Sequence, residues 1–169
     1  MIFLKYIILC LVFLITFLIG NIISKKYILR VEELKDFKNA LNIIENKIKF
    51  TYEPLGEIFL QTSKLLSKNI SGIFMIAKEN MKNTNAEEAW NMALKQSNTN
   101  LHKEDIENIK SLGKMLGKTN KEGQISSIEL TKTFIEMQIE KAKAEEEKNS
   151  KMYKTLGTIV GLAFVIILI

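Results

Sequence analysis

The chain has 169 residues, with 24 lysines and arginines against 19 aspartates and glutamates, so its formal net charge is +5. Its single cysteine and single histidine exclude a disulfide framework within the chain and a metal site built from clustered cysteines or histidines. Basic and acidic residues are interspersed without a basic block, so nucleic-acid binding is not predicted. One proline and eight glycines leave a composition that favours helices.

The N-terminal segment predicts a transmembrane helix that is not cleaved. Residues 6–23 carry no charge, and a helix of that length spans about 27 Å, close to the ~30 Å hydrocarbon core of a bilayer. Ile22, Ile23 and the pair Lys25-Lys26 stand where a signal peptide would need small residues for cleavage. We therefore predict an anchor over residues 1–24.

The first helix of the central domain, residues 25–151, is predicted to continue from the membrane to about Phe50. Apolar residues recur there at spacings of three and four, namely Leu34, Phe37, Leu41, Ile44 and Ile48. Pro54 ends this helix and fits the first turn of the next one. That second helix has a wide apolar face, which comprises Leu55, Ile58, Phe59, Thr62, Leu65 and Leu66.

Four further helices are predicted to complete a six-helix bundle. Ser71 can cap the third helix, and either Thr84 with Glu87 or Asn85 with Glu88 can form the capping box of the fourth, which carries Trp90. The fifth helix closes at Gly117. The sixth begins near Glu122, and its charged end, residues 141–151, is expected to be an exposed stalk. The polar residues 97–100 are a connector.

A second anchor is predicted over residues 152–169, because residues 156–169 are apolar on every face. Gly157 and Gly161 form a GxxxG pattern and are candidate helix-packing positions. Their partner could be the first span of the same chain, a second copy, which would make a homo-oligomer, or another membrane protein.

The charges that flank both spans predict the orientation. Lys25, Lys26 and Arg30 follow the first span, and Lys151 and Lys154 precede the second. The positive-inside rule then places residues 24–155 in the cytoplasm and both termini across the membrane.

No catalytic, cofactor-binding or metal site is predicted, and the protein is not expected to be an enzyme. Gly117-Lys118-Thr119 ends like a phosphate-binding loop, but Leu112 stands where that motif needs a glycine, and a helix precedes it instead of a strand. Three consecutive acidic residues, 145–147, fan out around a helix and do not converge on one ion. His102 is interpreted as a surface or capping residue.

The order of several short motifs resembles the stage III sporulation protein AB family of spore-forming Firmicutes over essentially the whole chain. After the leading span come Tyr52-Glu53-Pro54-Leu55, Ala89-Trp90 and the run from Leu112 to Gly117, and then an acidic stalk leads into Leu156-Gly157 and the apolar end. The candidate family positions are Tyr52, Pro54, Leu55, Trp90, Leu112, Gly113, Leu116, Gly117, Asn120 and Gln124. In that family an aspartate often stands at the position of Asn120, so this chain departs from the pattern by one charge.

The resemblance implies a fold similar to the cytoplasmic F-domain of type II secretion and type IV pilus platform proteins. It implies a membrane scaffold that docks a cytoplasmic secretion-type ATPase, stage III sporulation protein AA, to the mother-cell membrane facing the forespore. Membrane lipid and other stage III sporulation membrane proteins would be further partners. The alternative is a membrane-tethered helical adaptor or sensor that binds an unrelated soluble protein or a small ligand.

Overall fold

The computed structural model describes residues 2–168, which form seven α-helices and one π-helical turn and contain no strand. The helices are α1 (Ile2–Phe50), α2 (Leu55–Ser63), α3 (Lys68–Asn80), α4 (Ala86–Gln96), α5 (Lys103–Leu112), α6 (Lys121–Glu145) and α7 (Lys151–Leu168), with the π turn at Glu146–Ser150. The predicted all-α fold is confirmed.

The chain divides into two compact units. Residues 32–140, the central unit, contain the second half of α1, helices α2 to α5 and most of α6. These are the six predicted bundle helices. The described parts of residues 1–31 and 141–169, the terminal unit, contain the start of α1, the π turn and α7.

Four aromatic side chains form the centre of the central unit. Phe37, Phe59, Phe74 and Trp90 are completely buried. Their ring centroids lie between 5.5 and 6.1 Å apart in tilted or edge-on arrangements. Large aromatic rings bury more apolar area than other side chains, and tilted pairs add favourable electrostatics. This cluster therefore joins α1, α2, α3 and α4 in one core.

A buried carboxylate links the core to a connector. Glu33 is only 3% exposed. Its Oε1 accepts hydrogen bonds from Asn69 Nδ2 and Asn100 Nδ2, both at 2.8 Å, and its Oε2 accepts one from the backbone N–H of Asn100 at 2.6 Å. Charge-assisted hydrogen bonds of this kind offset the cost of burying the charge. The predicted polar connector at residues 97–100 is thus fixed to α1 through its last residue.

Several helix boundaries differ from those predicted. Pro54 is the N-cap of α2 and not part of its first turn. α3 is preceded by Ser67, and Ser71 lies inside the helix. α5 ends at Leu112, five residues before Gly117. Leu65, which was predicted on the apolar face of α2, follows the end of that helix and is 65% exposed.

Of the two capping positions left open for the fourth helix, the structure shows Asn85 as the N-cap. Its side chain accepts a hydrogen bond from the backbone N–H of Glu88 at 2.9 Å. Thr84 Oγ1 instead donates to the carbonyl oxygen of Asn80 at 3.0 Å. A side-chain acceptor at the N-cap satisfies one of the free N–H groups at a helix start.

Two helical stretches, Tyr6–Phe50 and Lys121–Ile167, each include a segment long and apolar enough to cross a membrane. One lies near the N-terminus, and the other ends in α7. These segments bury few of their side chains within the chain, as expected for surfaces that face lipid.

Candidate functional site

A groove of about 310 Å³ opens on the central unit and is the candidate functional site. We call it the Tyr52 groove. Its lining consists of Ile48, Thr51, Tyr52, Glu53, Leu55, Ile58, Gly117, Lys121 and Gln124. Four of these residues, Tyr52, Leu55, Gly117 and Gln124, are positions that the family resemblance selected from the sequence. The fold thus brings together two motifs about 60 residues apart in the chain.

The connection between α1 and α2 forms one wall of the groove. At the end of α1, the backbone N–H and the Oγ1 of Thr51 both donate to the carbonyl oxygen of Lys47 at 2.8 Å. At the start of α2, the carbonyl oxygen of Pro54 accepts hydrogen bonds from the N–H groups of Glu57 and Ile58. Between these fixed points, the Tyr52 side chain is fully exposed. A free aromatic ring at the rim of a groove is suited to contact a partner.

The turn before α6 forms the opposite wall. Gly117 has φ +71°, a backbone conformation that only glycine adopts without strain. Gln124 supports this turn twice, because its Oε1 accepts from the N–H of Gly117 at 3.2 Å and its Nε2 donates to the carbonyl oxygen of Thr119 at 3.0 Å. Gly117 and Gln124 therefore shape the wall, and Gly117 provides the left-handed turn before α6 and not the end of α5, which lies at Leu112.

Asn120 caps α6. Its Oδ1 accepts a hydrogen bond from the backbone N–H of Gly123 at 3.0 Å. Asparagine and aspartate are equally good at an N-cap. An aspartate at this position would make the same cap and add a charge.

Polar groups of the groove leave one acceptor unused. Lys47 Nζ lies 3.4 Å from Glu53 Oε1, whereas Glu53 Oε2 is buried and has no hydrogen bond. Lys121 Nζ donates to the carbonyl oxygen of Lys49 and lies 6.0 Å from the centre of the Tyr52 ring. An apolar group of an occupant would fit against the lining formed by Leu55 and Ile58.

Four other family positions in the central unit belong to the core. Trp90 Nε1 donates to the carbonyl oxygen of Ile109 at 2.9 Å. Leu112 and Leu116 are each 1% exposed. A Cβ atom added to Gly113 would lie 2.5 Å from Trp90 Cδ1, so this glycine is required for the tryptophan to pack. These four positions hold the bundle together and do not line the groove.

The candidate glycines of α7 lie against α1 of the same chain. A Cβ atom at Gly157 would lie 2.9 Å from the carbonyl oxygen of Thr16 and 3.0 Å from Gly20 Cα. One at Gly161 would lie 2.5 Å from Thr16 Oγ1. Small residues allow helix backbones to approach in this way. Gly20 and Thr16 were not identified from the sequence, although both are small residues in the apolar span at four-residue spacing.

The expectation that residues 141–151 form an exposed stalk is wrong at several positions. Ala142 and Ser150 are buried. Ser150 Oγ lies 2.7 Å from Ser24 Oγ, and Glu145 Oε2 accepts a hydrogen bond from Arg30 Nη1 at 2.7 Å. The pairing could not be predicted from charge alternation because it depends on which face of α1 lies opposite.

His102 and Lys118, which were considered as parts of possible catalytic or phosphate-binding motifs, make hydrogen bonds within the folded chain. The backbone N–H of His102, the N-cap of α5, donates to Asp105 Oδ2 at 2.8 Å, so the capping interpretation is supported. Lys118 donates to Glu87 Oε2 at 2.6 Å, and this hydrogen bond lowers the pKa of Glu87. Among the described residues, no group of three or more His, Cys, Asp or Glu side chains could hold a metal ion.

The fold and the groove define a class of protein, an all-α bundle that carries an N-terminal and a C-terminal apolar helix and presents a surface groove. The chain belongs to the stage III sporulation protein AB family, because the sequence profile of that family matches residues 5–169. It therefore has a role in sporulation.

A curated relative agrees with this assignment, and a solved structure shows a similar fold. The chain is 28% identical over 153 residues to stage III sporulation protein AB of Bacillus subtilis (strain 168). The aligned region covers 88% of this chain and 90% of the relative. It is similar in fold to a solved structure of a stage III sporulation protein AB, with a TM-score of 0.65 and 24% identity over 71% of this chain and 98% of that one.

Proposed function

We propose that this protein is a membrane-anchored scaffold of a sporulation channel complex and that it docks a cytoplasmic secretion-type ATPase. The observation that supports this proposal most strongly is the continuity of both ends of the bundle with apolar helices. α1 runs without a break from Ile2 to Phe50, and α6 continues through the π turn into α7. Two attachments hold a domain at a membrane and raise its effective concentration there without any new contact.

The Tyr52 groove is the proposed docking site for the ATPase, which the family resemblance suggests is stage III sporulation protein AA. The groove combines an exposed aromatic ring with an apolar lining. These are the features that concentrate binding energy at a protein interface. No catalytic role is proposed for the chain itself, and the ATPase would supply the energy for transport.

The membrane proposed for the protein is the mother-cell membrane that faces the forespore. Residues 1–24 and 152–169 would be the anchors, in contact with lipid, and residues 25–151 the cytoplasmic domain. The lysine and arginine residues next to both spans support this orientation. Other stage III sporulation membrane proteins would then assemble around the anchors.

Co-purification from sporulating cells tests this function. A tagged full-length chain should recover the ATPase, and Tyr52→Ala should reduce the recovery at least tenfold, because it removes the exposed ring. Leu65→Ala is the matched control, since Leu65 is also an exposed apolar residue but lies outside the groove. If the wild-type chain recovers no ATPase, the scaffold proposal is wrong. If Tyr52→Ala recovers as much as wild type, only the docking site is wrong.

The volume of the groove favours one second candidate, a sensor for a small ligand. A cavity of about 310 Å³ lies at the lower end of the range of small-molecule sites, which is roughly 300–1,000 Å³. A sensor would bind a metabolite in the absence of any ATPase. A metabolite screen by thermal shift on the purified chain, with a hit abolished by Leu55→Glu, would support the sensor over the scaffold.

A further inference from the structure

The two helical segments of the terminal unit contact each other through faces with different residue spacings. On α1 the contacting residues are spaced by four, four, three and three, and they are Thr16, Gly20, Ser24, Tyr27 and Arg30. On the opposite segment the spacings are five, three, four and four, and the residues are Glu145, Ser150, Tyr153, Gly157 and Gly161. The single step of five spans the π turn, Glu146–Ser150.

An uninterrupted α-helix could not present this face. Five residues advance an α-helix by about 500°, which leaves Glu145 and Ser150 about 140° apart around the axis. A π turn closes its hydrogen bonds between residues i and i+5, so it absorbs one extra residue and returns the fifth residue to the same side. The π turn therefore places Glu145 on one face with Ser150 and the glycines of α7.

The contacts on this face are specific for one register. Ser24 and Ser150 are buried and lie 2.7 Å apart between their hydroxyl oxygens. Arg30 is 3% exposed and donates to Glu145 at 2.7 Å. A shift of α7 by one residue, with each residue replaced by the next, would put Lys151 in the place of the buried Ser150, and burying a lysine charge is costly. The same shift would place Thr158, a larger residue, opposite Gly20.

We propose that the π turn is a register device, which directs the GxxxG face of α7 onto α1 of the same chain. That face is then occupied within one molecule and is not a dimerisation surface. Partners in the membrane must bind other faces of the helix pair. This inference concerns the anchors alone and does not depend on the docking of an ATPase.

Cysteine cross-linking in the full-length chain, in native membranes and with Cys10→Ser as background, tests the proposal. Ser24→Cys with Ser150→Cys should form an intramolecular disulfide on mild oxidation. Lys25→Cys with Lys151→Cys is the matched control, because both positions are one residue further along and both lysines are exposed. Failure of the double variant to form the intramolecular disulfide, or disulfide-linked dimers from either single variant, Ser24→Cys or Ser150→Cys, would overturn the proposal.

Changing the length of the π turn gives a second, independent test on the same cysteine pair. Deletion of Glu147 leaves a step of four residues, which an α-helix returns to nearly the same face, within about 40°. The cross-link should therefore be retained. Insertion of one alanine after Glu147 makes a step of six, which an α-helix leaves about 120° away from that face, and should abolish the cross-link. Equal loss of the cross-link in both variants would contradict the assigned role of the turn.

Discussion

At the scale of single residues, Trp90 combines aromatic packing with a buried hydrogen bond. Its ring packs against three phenylalanines, and its Nε1 donates to the carbonyl oxygen of Ile109. Its position on the apolar face of a capped helix was predicted from the sequence. The hydrogen bond to α5 was not, because it depends on the packing of two helices.

Truncation of this side chain should therefore strongly destabilise the central unit. Trp90→Ala in a fragment of residues 25–146 should lower the free energy of unfolding by about 3–5 kcal/mol, the usual cost of removing a large buried aromatic. Chemical denaturation measures this change. Leu65→Ala, at an exposed position, should change it by less than about 0.5 kcal/mol. Equal small effects at both positions would place Trp90 outside the core.

Substitution by alanine at two glycines of the central unit should change the free energy of unfolding in opposite directions. In Gly113→Ala the new methyl group meets the Trp90 ring at 2.5 Å, so overpacking should destabilise the domain by about 1–3 kcal/mol. Gly72 lies inside α3 with no atom within 4 Å of an added Cβ. Gly72→Ala should stabilise the domain by about 0.5–1 kcal/mol, because alanine favours the helix. If chemical denaturation shows that both substitutions change the free energy of unfolding in the same direction, this explanation of Gly113 is wrong.

At the scale of helices, apolar periodicity identified all six members of the bundle, but not all of their ends. Ser71 was expected to cap α3, whereas the chain enters that helix at Ser67. The backbone N–H of Ser67 donates to Asp36 Oδ2 on α1 at 2.8 Å. A contact between residues 31 positions apart fixes this boundary, and a reading of local spacing cannot detect it. For the same reason, the π turn was not predicted from the charged segment around it.

Ion pairs between helices predict how stability responds to acid. Lys38 on α1 donates to Glu136 on α6 at 2.6 Å, and this hydrogen bond lowers the pKa of Glu136 below its ordinary value of 4.5. A lowered pKa in the folded state stabilises the fold above the unfolded pKa, and this contribution is lost as the pH falls through the folded value.

The expected consequence is a small difference between wild type and Glu136→Gln that depends on pH. Wild type should have the higher unfolding midpoint at pH 7, and the two midpoints should converge as the pH falls below 4.5 and through the lowered pKa of Glu136. The effect should be small because Glu136 is exposed. Thermal unfolding of the wild-type and Glu136→Gln forms of the fragment of residues 25–146, from pH 7 to pH 3, measures this difference. A difference that persists unchanged at pH 3 would exclude the ion pair as its source.

At the scale of the whole molecule, the sequence predicted the fold class and the positions of the two apolar segments. It also selected four residues of the Tyr52 groove, but only through the family resemblance. Composition could not have found the groove, since its walls come from the end of α1 and from the turn before α6. The sequence also could not predict that Gly157 contacts Gly20, because small residues in an apolar segment do not identify their partner.

Orientation is a prediction at this scale. A reporter inserted at Lys118 should be active in the cytoplasm, and one fused after Ile169 should be active only outside it, as the flanking lysines require. Fusions with reporters that work on one side of the membrane measure this. Labelling of residue 118 from outside intact cells would show that the orientation is the opposite of the one proposed.

The most direct test of the central claim, that the bundle works as a platform tethered to the membrane at both ends, is the yield of heat-resistant spores. A strain that produces only residues 25–146, at a level matched to the full chain by immunoblot, should yield no more spores than a strain without the gene. The full chain carrying Gly72→Ala should restore the normal yield. Normal sporulation with the fragment alone would contradict the account, since the anchors would then be dispensable.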